Sequence, residues 1–214
     1  RLAGGGSANG VFTTPAPALV EWTGGTFTLN PGAQINGNGL YKLNGGSVTA
    51  NANLTVEILD LVHSSSSLNG PGAVTVVNGM NWTAGTMSGN GRTIVAAGVT
   101  LNAAIPSSVT LTSRTLENGG TILWTGAGFI GVTGGAVITN RAGALFQAQN
   151  AVGIGGGIAN GRLDNAGTFR KSDQTGATTF ASGMALNNFG MVDIRSGILA
   201  ANGGYTSTSN ALLN

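Results

Sequence analysis

The sequence predicts an all-β chain wound as a right-handed parallel β-helix with turns of ~20–25 residues. Three observations predict it. First, an L-x-N-x-G motif with an apolar residue behind it recurs as Leu116-Glu117-Asn118-Gly119-Gly120-Thr121-Ile122, Leu163-Asp164-Asn165-Ala166-Gly167-Thr168-Phe169 and Leu186-Asn187-Asn188-Phe189-Gly190-Met191-Val192. A looser copy, Ile138-Thr139-Asn140-Arg141-Ala142-Gly143, lies between the first two, and the four asparagines are 22, 25 and 23 residues apart. Second, glycine makes up 38 of 214 residues and charged residues only 7%, against about a quarter charged in ordinary domains. With 41% hydrophobic residues, the chain is too apolar for disorder and too irregular in glycine for collagen. Third, short apolar and small-polar alternations follow one another with no helical period.

Taken in order, residues 1–20 are Gly-, Ala- and Pro-rich and read as an irregular N-terminal cap or linker. Residues 21–214 read as one β-helix, expected to be a fragment of a longer repeat protein because the chain begins without Met and stops within a new repeat. Strand-like runs are Phe27–Leu29, Leu54–Leu61, Ala73–Val77, Thr93–Val95, Val109–Leu111, Thr121–Trp124, Ala136–Thr139 and Val192–Leu199. A second repeat, Trp22-Thr23-Gly24-Gly25-Thr26-Phe27, is echoed at Trp82-Thr83-Ala84-Gly85-Thr86-Met87 and Trp124-Thr125-Gly126-Ala127-Gly128-Phe129. A third is G-x-G before a strand: Gly37-Asn38-Gly39, Gly70-Pro71-Gly72 and Gly89-Asn90-Gly91. About nine turns are expected, a rod of roughly 40–45 Å at the interstrand spacing.

Stacked turns carry local expectations. Asn118, Asn140, Asn165 and Asn188 should form a structural ladder, since an amide both donates and accepts. The asparagine, and the glycine two residues on, should take left-handed conformations at a corner. Ile122, Phe169 and Val192 should stack inward. Arg170 should fall one turn below Asp193, as an opposite-charge pair between neighbouring strands.

The charge pattern excludes some partners. The net charge is +2 and the arginines are scattered, so no basic stripe for nucleic acid exists. The absence of cysteine removes disulfides and thiolate zinc sites. No apolar run is long enough for a transmembrane helix, so membrane insertion is not expected. No charged n-region and apolar h-region of a signal peptide open the chain.

The stretch from Trp82 to about Thr206 resembles the β-helical repeat modules of giant secreted bacterial surface proteins, of the filamentous-haemagglutinin and autotransporter-passenger type. The resemblance rests on Trp82–Gly89, Thr115–Thr121 and Leu163–Ser172. It implies a secreted or cell-surface bacterial protein with a non-enzymatic, structural or adhesive role, and it brings no catalytic residue. The partners then expected are neighbouring repeats of the same protein or end-to-end copies, with surface glycans as a further candidate. No cofactor or metal is expected.

Gly126-Ala127-Gly128-Phe129-Ile130-Gly131 matches G-x-G-x-x-G, yet no helix start follows and the next acid is Asp164, too far for a dinucleotide site. Asp60, His63 and the Ser64–Ser67 run spell the letters of a triad, which geometry alone defines. A polysaccharide hydrolase needs two carboxylates across the bond. Of Glu21, Glu57, Asp60, Glu117, Asp164, Asp173 and Asp193, only Glu57 and Asp60 are close in sequence, while Glu117 and Asp164 share a repeat position two turns apart. Lyase chemistry needs a base beside a cation; Arg170, Lys171, Asp173, Asp193 and Arg195 form the one cluster available. This makes a carbohydrate-binding or carbohydrate-cleaving β-helix the alternative reading. Trp22, Trp82 and Trp124 are its ligand-binding candidates if they face outward, and core residues if inward. Threonine arrays that order water are not expected, because Thr26-Phe27-Thr28, Thr110-Leu111-Thr112 and Thr206-Ser207-Thr208 are not spaced at the turn period.

Overall fold

The computed structural model describes residues 1–156 and 160–214. Every regular element among them is a β-strand, and every strand pairing is parallel. The chain is a β-solenoid whose turns each contribute to three faces. One turn shows the plan: Arg92–Val95 lies on face 1, Thr100–Ala104 on face 2 and Ser108–Thr112 on face 3, and Thr115–Asn118 then returns to face 1. Arg92 pairs with Thr115, one turn on. Among the described residues, no helix is long and apolar enough to cross a membrane.

Face 3 is a sheet of ten strands, from Gly6–Ala8 to Ile198–Ala201. Ten turns therefore stack, one more than the repeats suggested. The extra turn comes from the stretch expected to be irregular: Gly6–Ala8 pairs with Thr26–Leu29, and Val11–Thr13 with Gln34–Asn36. Backbone pairing needs no apolar side chains, so Gly6–Ala8 joins face 3 without strand-like letters, while Val11–Thr13 pairs in a small two-stranded sheet. Turn lengths run from 18 residues (Leu43 to Leu61) to 26 (Ile154 to Phe180). Faces 1 and 2 belong to one sixteen-stranded sheet because two long strands, Leu54–Leu61 and Ala73–Trp82, bend across both faces. Their pairing shifts register between Val76 and Gly79, a bulge at the bend.

The run Val192–Leu199 is not one strand. Met191–Ile194 lies on face 2 and Ile198–Ala201 on face 3, with a corner between them where Gly197 takes a φ of 75°. The Arg195-Ser196-Gly197 stretch marks this corner in the letters, but the apolar residues on either side of it read as one run.

The core is a set of inward columns. On face 2, Leu101, Ile122, Phe146, Phe169 and Val192 pair in series. All five are buried, and the rings of Phe146 and Phe169 stack at 5.2 Å. Alternate residues of each strand point outward, the two-residue period of any strand. Adding a turn lengthens every column at once, so stability accrues turn by turn.

Candidate functional site

The asparagine ladder occupies face 1. Asn118, Asn140, Asn165 and Asn188 are strand residues in one register column, all buried. Asn118 Nδ2 donates to Asn140 Oδ1 at 2.8 Å, Asn140 Nδ2 to Asn165 Oδ1 at 2.7 Å, and Asn165 Nδ2 to Asn188 Oδ1 at 2.8 Å. Each amide also donates to a backbone carbonyl at the start of the face 2 strand one turn on, at Leu145, Thr168, Met191 and Leu212. In-register strands make this possible, because their spacing matches the reach of one amide to the next. The ladder starts above Val95 and ends below Ser207.

The glycines of the motif act differently from expectation. Left-handed backbone is absent from Gly120, Gly167 and Gly190 and from the four asparagines. Glycine is needed there because the previous turn lies against it. A Cβ on Gly190 would come 2.6 Å from Ala166 O, and one on Gly120 2.8 Å from Ala96 O. The left-handed position occurs in the looser copy, where Gly143 has a φ of 81° and no atom within 4 Å of an added Cβ.

The three tryptophans share one inward column of face 2. Trp22, Leu43, Leu61 and Trp82 pair in series, and Ala103, Trp124, Ala148, Lys171 and Ile194 continue the column. Trp22, Trp82 and Trp124 are 2%, 0% and 0% exposed. None presents a ring face to a sugar. Trp124 Nε1 donates to Gly128 O at 3.3 Å, whereas the Trp22 and Trp82 nitrogens have no partner among the described residues.

Charged residues pair along the outer surfaces of faces 1 and 2. Arg170 Nε and Arg195 Nε meet Asp193 Oδ2 at 2.8 and 2.9 Å, with Arg170 and Asp193 in register as expected. Burial alone would raise the Asp193 carboxyl, but hydrogen bonds and charge from both arginines outweigh it and hold the group below its ordinary value of 3.8. Glu21 is also held low, chiefly by the Asn44 amide, against an opposing effect of burial and with help from Arg1 and Lys42. Glu117 and Asp164 do share an outward column, with Thr139 between them. Each is already engaged, Glu117 by Arg92 and Arg141, and Asp164 by Arg162 and Asn187.

The triad letters do not converge. Asp60 accepts from Asn81 on face 2 at 2.7 Å, while exposed His63 bonds Ser65 at a corner. The G-x-G-x-x-G match is the corner Gly126-Ala127-Gly128 after Thr121–Thr125 and the first half of the strand Phe129–Thr133. Among the described residues no cluster of His, Cys, Asp and Glu could hold a metal.

Two cations are buried: Arg114, which the sequence did not single out, and Lys171, which it placed in a surface charge cluster. Arg114 is 1% exposed and has no carboxylate partner among the described residues. Its Nε donates to Thr93 Oγ1 at 2.9 Å, Nη1 to Gly70 O and Ser88 O at 3.0 and 3.1 Å, and Nη2 to Gly72 O and Arg92 O at 3.2 and 2.8 Å. Those bonds match all five N–H donors of a guanidinium and staple three turns. Burial pulls the group down to about 10, still far above neutral, so it remains charged. The acceptors belong to or flank the G-x-G corners at Gly70–Gly72 and Gly89–Gly91, a coincidence only turn-to-turn register reveals. Lys171 is 0% exposed and donates to Gln174 O at 2.6 Å. Burial lowers its pKa, with Asp173 opposing. Its signal was present: Lys171 lies six residues after Asn165, as inward Trp124 does after Asn118.

No protein-family model, curated protein or solved structure matches this chain.

Proposed function

We propose that this chain is a non-enzymatic structural rod, a stalk or adhesive module of a secreted bacterial surface protein. The supporting observation is that its most chemically capable residues are consumed by the scaffold. The tryptophans fill the core, the ladder amides bond to each other, and Glu117, Asp164 and Asp193 are neutralised by arginines. A base free to take a proton from a sugar requires the opposite arrangement. The specific origin among haemagglutinin-like or autotransporter-like proteins rests on the sequence motifs alone.

Its partners would be further turns of the same architecture or copies stacked end to end. The last strands support this: Ile198, Leu212 and Leu213 expose most of their apolar surface, and an open strand edge pairs readily.

The test is incubation with acidic and neutral polysaccharides, following unsaturated products and new reducing ends, alongside a glycan array. Turnover that disappears in Asp193→Asn would overturn the structural reading in favour of a polysaccharide-cleaving β-helix. Binding without turnover supports the adhesive form, and silence in both assays supports a spacer.

A further inference from the structure

Face 3 carries a surface that sequence spacing concealed. Thr26-Phe27-Thr28 and Thr110-Leu111-Thr112 lie on the same pair of outward columns, four turns apart. Thr26, Ser47, Ser67, Thr86, Thr110 and Gly131 pair in series along the first column. Thr28, Thr49 and Asn69 pair along the second, which Ser88, Thr112 and Thr133 continue. The buried column between them, Val48, Leu68, Met87, Leu111 and Val132, backs the grid with packed core. Thr206-Ser207-Thr208 belongs to face 1 and takes no part. Unequal turns, and Ser or Asn standing in for Thr, hid the array.

A second observation is independent of the hydroxyls. None of the ten strands of face 3 contains Asp, Glu, Lys, Arg or His, while the carboxylates and arginines pair on faces 1 and 2. Bonds within the array join Ser47 to Ser67, Ser67 to Asn69 and Asn69 to Ser88; the threonine hydroxyls take no part in them. Rows repeat at ~4.8 Å between turns and ~6.7 Å within a strand. β-Branched threonine is stiff at χ1, so hydroxyls and methyls hold their places on this grid.

We propose that face 3 binds ice. A rigid, uncharged lattice of hydroxyls, with spacings close to those of a prism face of ice, holds water in a crystalline pattern at low ordering cost. A charged side chain would instead impose its own hydration geometry. A crystalline polysaccharide is the weaker fit, because sugar surfaces are gripped by exposed aromatic rings. Phe27, under the grid, packs against the core, and Phe129, exposed at the grid's margin, is a single ring and not a row of them. The inference goes beyond the rod reading and survives its failure, since it concerns one face and not what the rod is attached to.

The test is ice-crystal shaping and thermal hysteresis of the whole chain, with Thr49→Lys, Thr86→Lys and Thr110→Lys on face 3 and Thr100→Lys and Thr121→Lys on face 2. Wild type and the face 2 variants should shape ice, and the face 3 variants should lose the effect with unchanged circular dichroism. Fluorescently labelled wild type should also adsorb to defined planes of a single ice crystal, a readout that needs no variant. A wild type that leaves ice growth unaltered overturns the proposal. Equal loss from both faces, or binding to cellulose or chitin crystals in place of ice, does the same.

Discussion

Replacing Asn165 with Ala removes the central rung of the ladder. The side chain is 0% exposed. It donates to Asn188 Oδ1 and Met191 O at 2.8 Å each and accepts from Asn140 Nδ2 at 2.7 Å. Three buried hydrogen bonds at about 0.5–1.5 kcal/mol each bracket the loss at about 1.5–4.5 kcal/mol. The neighbours keep alternatives, since Asn140 Nδ2 still reaches Thr168 O at 3.0 Å and Asn188 Oδ1 still accepts from Gly190 N at 3.3 Å. The orphan penalty is therefore partial, and the expected loss is about 2–3 kcal/mol. Urea unfolding followed by tryptophan emission measures it, with Asn102→Ala as reference. That exposed residue makes one weak contact of 3.4 Å to Asn81 and should change stability by less than about 0.5 kcal/mol. Asn165→Asp adds a sharper comparison. Its carboxylate would face two acceptors, so it should be less stable than Asn165→Ala at neutral pH, and acidification should narrow that gap. The ladder reasoning fails if Asn165→Ala unfolds at the same urea concentration as Asn102→Ala.

Gly190→Ala should cost about 1–3 kcal/mol through overpacking against the Ala166 and Gly167 carbonyls, and should lower the unfolding midpoint more than Gly143→Ala does. Equal midpoints would indicate that backbone conformation, not close approach, selects these glycines. Lys171→Met places an apolar chain between Ala148 and Ile194 and should stay within about 1 kcal/mol of wild type or exceed it at neutral pH. The folded Lys171 pKa lies below 10.5, so between the two values the unfolded chain binds more protons and wild-type stability rises with pH. Chemical denaturation across alkaline pH should show that rise in wild type and lose it in Lys171→Met; a rise retained by the variant would assign it to another group.

The repeat of Asn118, Asn140, Asn165 and Asn188 was enough to read the solenoid, the ladder and the inward Ile122, Phe169 and Val192. Counting on from the same asparagines placed Arg170 beneath Asp193. These are local properties: a two-residue alternation and a recurring motif lie in the letters themselves. The reason for the motif's glycines was not in the letters. A left-handed corner and a close backbone approach both select glycine, and only the position of the preceding turn separates them. The inward direction of Trp22, Trp82 and Trp124 was likewise left open, since an aromatic residue suits either side of a strand. Arg114 and the hydroxyl grid lay furthest from view. Each depends on register summed over several turns of 18 to 26 residues, where one extra corner residue moves every later partner. The period and alternation were therefore determined by the sequence alone. Which side chains meet across turns was decided by the tertiary structure, because corner lengths set register and register sets neighbours.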